Sequence, residues 1–333
     1  MPTTVKVAIQ GCCHGELSKI YNQLTQLPQA DQPELLIICG DFQCLRDESD
    51  YTSLNVPDKY KKLGSFQDYY QGKLKAPILT IFIGGNHEAS DFLMELPFGG
   101  WVAENIYYLG FSNVIWFKGL RIAGISGIFK HFDFYKSHFE KLPLLGNDVK
   151  SCYHTRFEDE LKMLLLLNST DLNCFVSHDW PVGVTEYGNL YKLLKIKPFF
   201  KEDIQRGQLG SRMHWDLLQK LKPNYWFAAH LHVKFKAVVT HENLHKRKLS
   251  VASIDENKKV KNEEEIDLNL NLDEGLTDLK EKNNNFAAET NNKNQDEISL
   301  SFSDDDEEKG EEHPAISKGF KQTNFLALDK CTR

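Results

Sequence analysis

Long hydrophobic runs are missing from this chain. No stretch reaches the roughly 18 apolar residues that a membrane-spanning helix needs, so no membrane association of that kind is expected. A charged-then-apolar leader is missing as well. MPTTVKVAIQG passes straight into a strand-like run, which leads us to expect an intracellular protein. Cysteine is sparse: seven among 333 residues, an odd number without repeating spacing. That excludes a disulfide framework and favours reduced thiols in the cytosol or nucleus. Cys12 and Cys13 are adjacent and poorly placed to bridge each other. There is no internal repeat.

A strong positive balance is also lacking, although the net charge of −7 hides an uneven spread. Residues 255–312 hold 20 acidic against 7 basic side chains, a net −13. The remainder holds 33 basic against 27 acidic, a net +6, which suits a polyanionic substrate only weakly. The acidic stretch is low in complexity (LNLNLDEG, KNNNF, NNKNQ, SDDDEEKGEE) and nearly free of aromatics. Such a composition buries too little surface to offset chain entropy. The expected organisation is a domain over residues 1–254, a disordered acidic insertion over 255–312 and a segment over 313–333 that returns to the fold. The strand-like run TNFLALDKC is the reason for that last step.

What the chain does have is a set of apolar runs that end in polar residues. VKVAIQ leads to Gly11-Cys12-Cys13-His14-Gly15, and ELLIICGDF ends at Asp41. APILTIFIGGNHE ends at Asn86 and His87, LNCFVSHDWP at His178, and NYWFAAHLH at His230 and His232. Helical periods lie between them at Glu16–Leu27, Arg156–Leu167 and Leu209–Leu221. VIWFKGLRIAGISGI reads as a hairpin around Lys118-Gly119. Strands mixed with helices point to an α/β body. A lone histidine is usually an ordinary surface or core residue. Five strand ends bearing ligand-type side chains are harder to dismiss, because strand ends on one edge of a sheet converge.

The ordered blocks C-C-H-G, G-D-F, G-N-H-E, S-H-D and A-H-L-H resemble the five-block pattern of the calcineurin-like metallophosphoesterases, with Cys12 where most members have aspartate. The resemblance implies a sandwich of two mixed β-sheets flanked by helices, with metals at the strand ends. On that basis Asp41 bridges two cations, His14 and His232 serve one, and Asn86, His178 and His230 serve the other. Imidazole and carboxylate suit Zn, Fe or Mn better than Ca. Two such cations clamp a phosphate and lower the pKa of a bridging water. His87 is expected near the phosphate as proton donor to the leaving oxygen; the plainer alternative is a hydrogen bonder to a ligand. Cys12 as thiolate would favour soft or borderline ions over Mg²⁺.

Narrower signals are SHDWP, the helix-starting LGS at Leu209–Ser211, LKPNYWFAAHLHVKF and TNFLALDKC. Together with C-C-H-G they resemble the RNA lariat debranching enzyme family over about Val5–Val239 and Thr323–Cys331. That family carries cysteine at the position of Cys12. The resemblance implies hydrolysis of the 2′–5′ phosphodiester at the branch point of excised intron lariats, and Fe²⁺, Zn²⁺ or Mn²⁺ as cofactor, with one or two ions per site. Branched RNA is then the partner, no protein partner is named, and the nucleus, or also the cytoplasm, is the location. It also implies an inserted RNA-recognition loop over residues 127–161, where Lys130, His131, Tyr153, His154 and Arg156 offer cations and stacking surfaces. Lys150 and Thr155 depart from the family's Arg and Val there. Two other readings stay open: a general metallophosphoesterase acting on another phosphoester, and a non-catalytic scaffold with the same fold.

Overall fold

The computed structural model describes residues 4–167, 172–241 and 321–331. The acidic insertion expected over 255–312 lies outside them. The first five strands form one sheet: β1 (Val7–Gln10), β2 (Leu35–Ile38), β3 (Leu79–Phe82), β4 (Gly100–Ala103) and β5 (Ile106–Tyr108). The other six form the second: β6 (Ser112–Phe117), β7 (Leu120–Ile125), β8 (Cys174–Ser177), β9 (Tyr225–Ala228), β10 (Phe235–Thr240) and β11 (Gln322–Ala327).

The first sheet runs β1-β2-β3-β5-β4, and all its pairings are parallel except β4 with β5. The second runs β10-β11-β9-β8-β7-β6, parallel from β11 to β7 and antiparallel at both edges. Both sheets are thus mixed, each with a parallel centre. The expected sandwich is present. The β6–β7 hairpin turns at Lys118-Gly119, where both residues have positive φ (47° and 85°). That geometry matches the right-handed twist of the two strands.

The layers follow from side-chain alternation along each strand. Leu35, Ile37 and Ile81 face Ile122, Val176 and Phe227 across the gap between the sheets. Leu36, Ile38 and Phe82 point outward against Leu17, Ile20 and Tyr21 of the helix Leu17–Thr25. On the far side Phe175 and Trp226 stack at 4.2 Å and pack with Met213, Leu217 and Leu218 of the helix Arg212–Leu221. That helix starts where Ser211 accepts a hydrogen bond from the His214 N–H at 3.2 Å. Strands covered on both faces read as unbroken apolar runs, and β2 is buried along its whole length.

Trp226 anchors the outer layer of the second sheet. It is fully buried, and its Nε1 donates to Ser177 Oγ at 2.9 Å. Trp226→Ala should lower unfolding free energy by about 3–5 kcal/mol, read from urea unfolding with metal held constant. Trp116 lies on the exposed edge strand β6 at 67 % exposure, and Trp116→Ala should stay within about 1 kcal/mol of the parent. Equal losses in both variants would contradict this layering.

Candidate metal centre

The carboxyl ends of the parallel strands β1, β2, β3, β8 and β9 carry the loops that build the site, as open α/β sheets arrange their binding crevices. Residue types alone do not bring the side chains together; the backbone does. His14, Asp41, His230 and His232 all have positive φ, between 46° and 61°. This left-handed conformation costs an L-residue free energy, and it recurs at functional sites held by their surroundings. Gly85 allows the closest approach, since a Cβ there would collide with the Asp41 carboxylate and backbone nitrogen.

Asp41 lies at the bottom of the cleft, 1 % exposed. Its Oδ1 is 3.3 Å from His178 Nε2 and accepts the His87 backbone N–H at 2.9 Å. Its Oδ2 is 3.5 Å from His87 Nδ1 and 3.8 Å from His14 Nε2. The two oxygens therefore face two groups of donors. On one side, Cys12 Sγ, His14, Asp41 and His232 present ligand atoms all within 4.8 Å of one another, and the His14 and His232 Nε2 atoms are 3.1 Å apart. On the other side, His178 Nε2 is 3.2 Å from Asn86 Oδ1, and the His230 ring lies 4.9 Å from that of His178. Cys12, Asp41 and His178 are buried; the remaining donors are half-buried and open onto the cleft.

Protonation in this geometry suits cation binding. Burial pushes His14 down to about 4, and His230 and His232 down to about 3, so all three imidazoles are neutral near pH 7. The His14–Asp41 contact is accordingly no ion pair. Burial alone would raise the Asp41 carboxyl, but His178 and His87 outweigh it and hold the group well below the usual carboxylate range. For His87 and His178, burial pulls the pKa down and Asp41 more than restores it, so both are raised. His178 Nδ1 donates to the Cys39 carbonyl at 2.8 Å, which leaves Nε2 free as the ligand nitrogen. Burial, with Asp41 adding to it, pushes the Cys12 thiol well above its ordinary range. Only a bound cation would make it a thiolate. Neutral imidazoles, one ionised carboxylate, an amide and a thiol make a donor set that fits a divalent transition ion.

Glu88 had no assigned role in the sequence, although it closes the G-N-H-E block. It is 2 % exposed and accepts the backbone N–H groups of Phe42 (2.7 Å), Gln43 (2.7 Å) and Gly85 (3.1 Å). It thereby ties the Asp41 loop to the Asn86 loop. Burial, followed by the nearby Asp41 charge, raises its carboxyl to about 7. Asp179 of S-H-D-W-P has a similar bracing role: its carboxylate accepts from Trp180 N at 2.9 Å and from Phe129 N at 3.4 Å. The second contact reaches the start of the 127–161 segment.

The five side chains expected to meet RNA divide into two groups. Lys130 is half-buried and His131 is exposed, and the Lys130 charge lies in range of both His230 and His154. The other three are turned inward. Arg156 is fully buried, with Nη2 2.6 Å from Glu140 Oε1 and 2.9 Å from the Ser151 carbonyl. His154 is 4 % exposed and pairs through Nδ1 with Asp133 Oδ2 at 2.7 Å. The Tyr153 hydroxyl accepts from Asn55 Nδ2 at 2.7 Å. The stretches His138–Glu140 and Tyr153–Arg156 are thus joined to each other through Glu140 and Arg156.

Comparison with known proteins adds a second line of observation. A family model described as calcineurin-like phosphoesterase matches residues 5–234. The chain is 41 % identical over 338 residues to a lariat debranching enzyme of Saccharomyces cerevisiae, covering 99 % of this chain and 74 % of that one. It is 46 % identical over 341 residues to the one of Schizosaccharomyces pombe, covering 98 % and 70 %. Against the one of Gallus gallus it is 51 % identical over 251 residues, covering 75 % and 46 %. The chain therefore spans just under half the length of that animal relative.

The role given to Cys12 can be tested without a substrate. Cys12→Asp replaces sulfur with hard oxygen and should shift bound metal from Zn²⁺ towards Mn²⁺. Cys12→Ser should weaken binding of both ions. Equilibrium dialysis followed by elemental analysis measures this. Identical metal content in the parent and both variants would show that the sulfur is only tolerated there.

Proposed function

The chain belongs to the calcineurin-like phosphoesterases and, among them, to the lariat debranching enzymes, and from that premise we propose that it hydrolyses the 2′–5′ phosphodiester at the branch point of lariat RNA. The observation that carries the reading is the placement of Asp41, whose two oxygens lie 3.3–3.8 Å from the rings of His14, His87 and His178 at the meeting of five strand-end loops. A scaffold that had lost catalysis would be under no constraint to keep that donor set.

Cys12, His14, Asp41 and His232 would hold one ion, and Asp41, Asn86, His178 and His230 a second. Fe²⁺, Zn²⁺ or Mn²⁺ are the candidates, with the thiol favouring the softer ones. Bound there, such ions clamp the phosphate and supply water of lowered pKa. The protein's own groups supply the rest. Asp41 takes His87 Nδ1 at 3.5 Å, which leaves Nε2 for the substrate, and the Asp41 charge outweighs burial to raise the pKa of the imidazole. As the water oxygen bonds to phosphorus, the bond from phosphorus to the 2′-oxygen breaks, and that oxygen leaves with the proton from His87. The products are linear RNA with a free 2′-hydroxyl and a 5′-phosphate end. Lys130, whose charge reaches His230, would meet backbone phosphate, and exposed His131 the adjoining nucleotide. In this conformation Tyr153, His154 and Arg156 act indirectly, by shaping the segment that presents Lys130 and His131. Intron turnover makes the nucleus the proposed location, with the cytoplasm as a second compartment.

Purified protein loaded with Fe²⁺, Zn²⁺ or Mn²⁺ should cleave branched RNA and spare a linear 3′–5′ control of the same sequence. Equal cleavage of both would indicate a general phosphodiesterase, and inert protein with metal bound would indicate a scaffold. His87→Ala should lower kcat on branched RNA by roughly 10²–10⁴-fold while metal content stays at the parent level. Retained turnover, or coincident loss of metal, would remove the proton-donor role.

A further inference from the structure

The turn after β11 has no part in the mechanism above, yet it is wedged into the metal centre. It reads Leu328-Asp329-Lys330-Cys331. The Leu328 N–H donates to the Ala228 carbonyl at 2.9 Å, and the Cys331 N–H donates to the Cys12 carbonyl at 3.0 Å. Between them, the Asp329 carbonyl presses against Gly11 so closely that no Cβ would fit. The turn thus bridges the end of β1, which runs on to His14, and the end of β9, which runs on to His230 and His232. Lys330 is in the middle of that bridge. Its backbone N–H is fixed on Asp329 Oδ1 at 2.7 Å, and its side chain is half-buried.

The ammonium of Lys330 lies in range of the two imidazoles that meet at the bridge. Burial is the first cause of the depressed pKa of His14 and His232, and the Lys330 charge adds to it at both. A second cation is close by. Lys197 is lowered first by burial, and the charges of Asp329 and Lys330 both act on it. On the other side of the cleft, Lys130 acts on His230. The centre is therefore flanked by lysines on two sides, one supplied by the turn after β11 and one by the 127–161 segment. A branched polyanion has more than one strand leaving the scissile phosphate, and a cation on each flank matches that shape. A compact monophosphate would need only one.

We propose that Lys330 contacts RNA backbone phosphate on the flank of the cleft formed by His14 and His232, opposite the flank served by Lys130. The proposal rests on the reading of this protein as an RNA-processing phosphodiesterase. It assigns a task to the sequence block L-D-K-C, which the mechanism above leaves without one.

The test uses full-length protein as Lys330→Ala, Lys330→Arg and, as control, Lys75→Ala; Lys75 is an exposed residue paired with Glu104. Binding of fluorescein-labelled linear RNA to the metal-free protein is followed by anisotropy across a salt series. Lys330→Ala should weaken affinity about 3- to 10-fold and reduce the slope of log Kd against log salt by about 0.7, the value for one lost phosphate contact on a single strand. Lys330→Arg should restore both quantities, and Lys75→Ala should change neither. A parent slope in Lys330→Ala overturns the proposal whether or not affinity falls, because weaker binding at constant slope reports a disturbed turn rather than a lost ionic contact. A parent that does not bind the RNA overturns it as well. Cleavage of branched RNA by the parent is scored in the same preparations once metal is added. A reduced slope without any cleavage would sustain Lys330 as a phosphate contact and sink the debranching function.

Discussion

Everything at this centre depends on keeping one carboxylate ionised where water cannot reach it. Asp41 is buried at the junction of the two sheets, and an isolated charge there would cost several kcal/mol. The fold meets that cost with imidazoles on both carboxylate oxygens and with the His87 backbone N–H. The carboxylate must also point the right way, and that task falls to a second buried acid. Glu88 receives three backbone N–H groups from the loops on either side. Two acids with different environments thus divide the work: one is held charged to attract cations, and the other sits near neutrality and holds the backbone.

Cys12 fits the same logic. Its thiol occupies a fully buried position beside an anion, an environment that disfavours a second negative charge. Aspartate at that point would bring a second carboxylate to the floor of the cleft and increase the repulsion with Asp41. Sulfur is different, because it rests there as a neutral apolar group and becomes an anion only when a cation arrives. On the proposed reading, the cysteine would lower the cost of the empty site at the expense of affinity for hard ions.

How far the sequence revealed this arrangement depends on whether the cause was local. The strands were legible because both of their faces are covered, so Leu35–Ile38 is apolar throughout. The candidate ligands were legible because each follows such a run. The hairpin at Lys118-Gly119 was legible because two residues of turn chemistry separate two apolar runs. Glu88 escaped notice because its partners, Phe42 and Gln43, are backbone groups more than forty residues away. The inward turn of His154 and Arg156 escaped for a related reason. Cations in a loop rich in aromatics normally face water, and only the folded segment brings Asp133 and Glu140 within 2.7 Å of them. The left-handed backbone at His14, Asp41, His230 and His232 left no trace beyond residue type, since it is imposed by neighbouring loops.

The position of β11 sets the order in which the protein can come into being. It lies between β9 and β10, yet β9 ends at Ala228 and β10 at Thr240, while β11 begins only at Gln322. A nascent chain therefore carries β9 and β10 for a long interval with a gap where their shared neighbour belongs, and closing so distant a pairing is slow. Until then β9 has β8 alone beside it, and Cys12 lacks its contact with Cys331. A ribosome-bound fragment that stops after β10 contains every proposed ligand but lacks this strand and its turn. The strand that completes the second sheet thus also brings the turn that rests on Gly11 and Cys12.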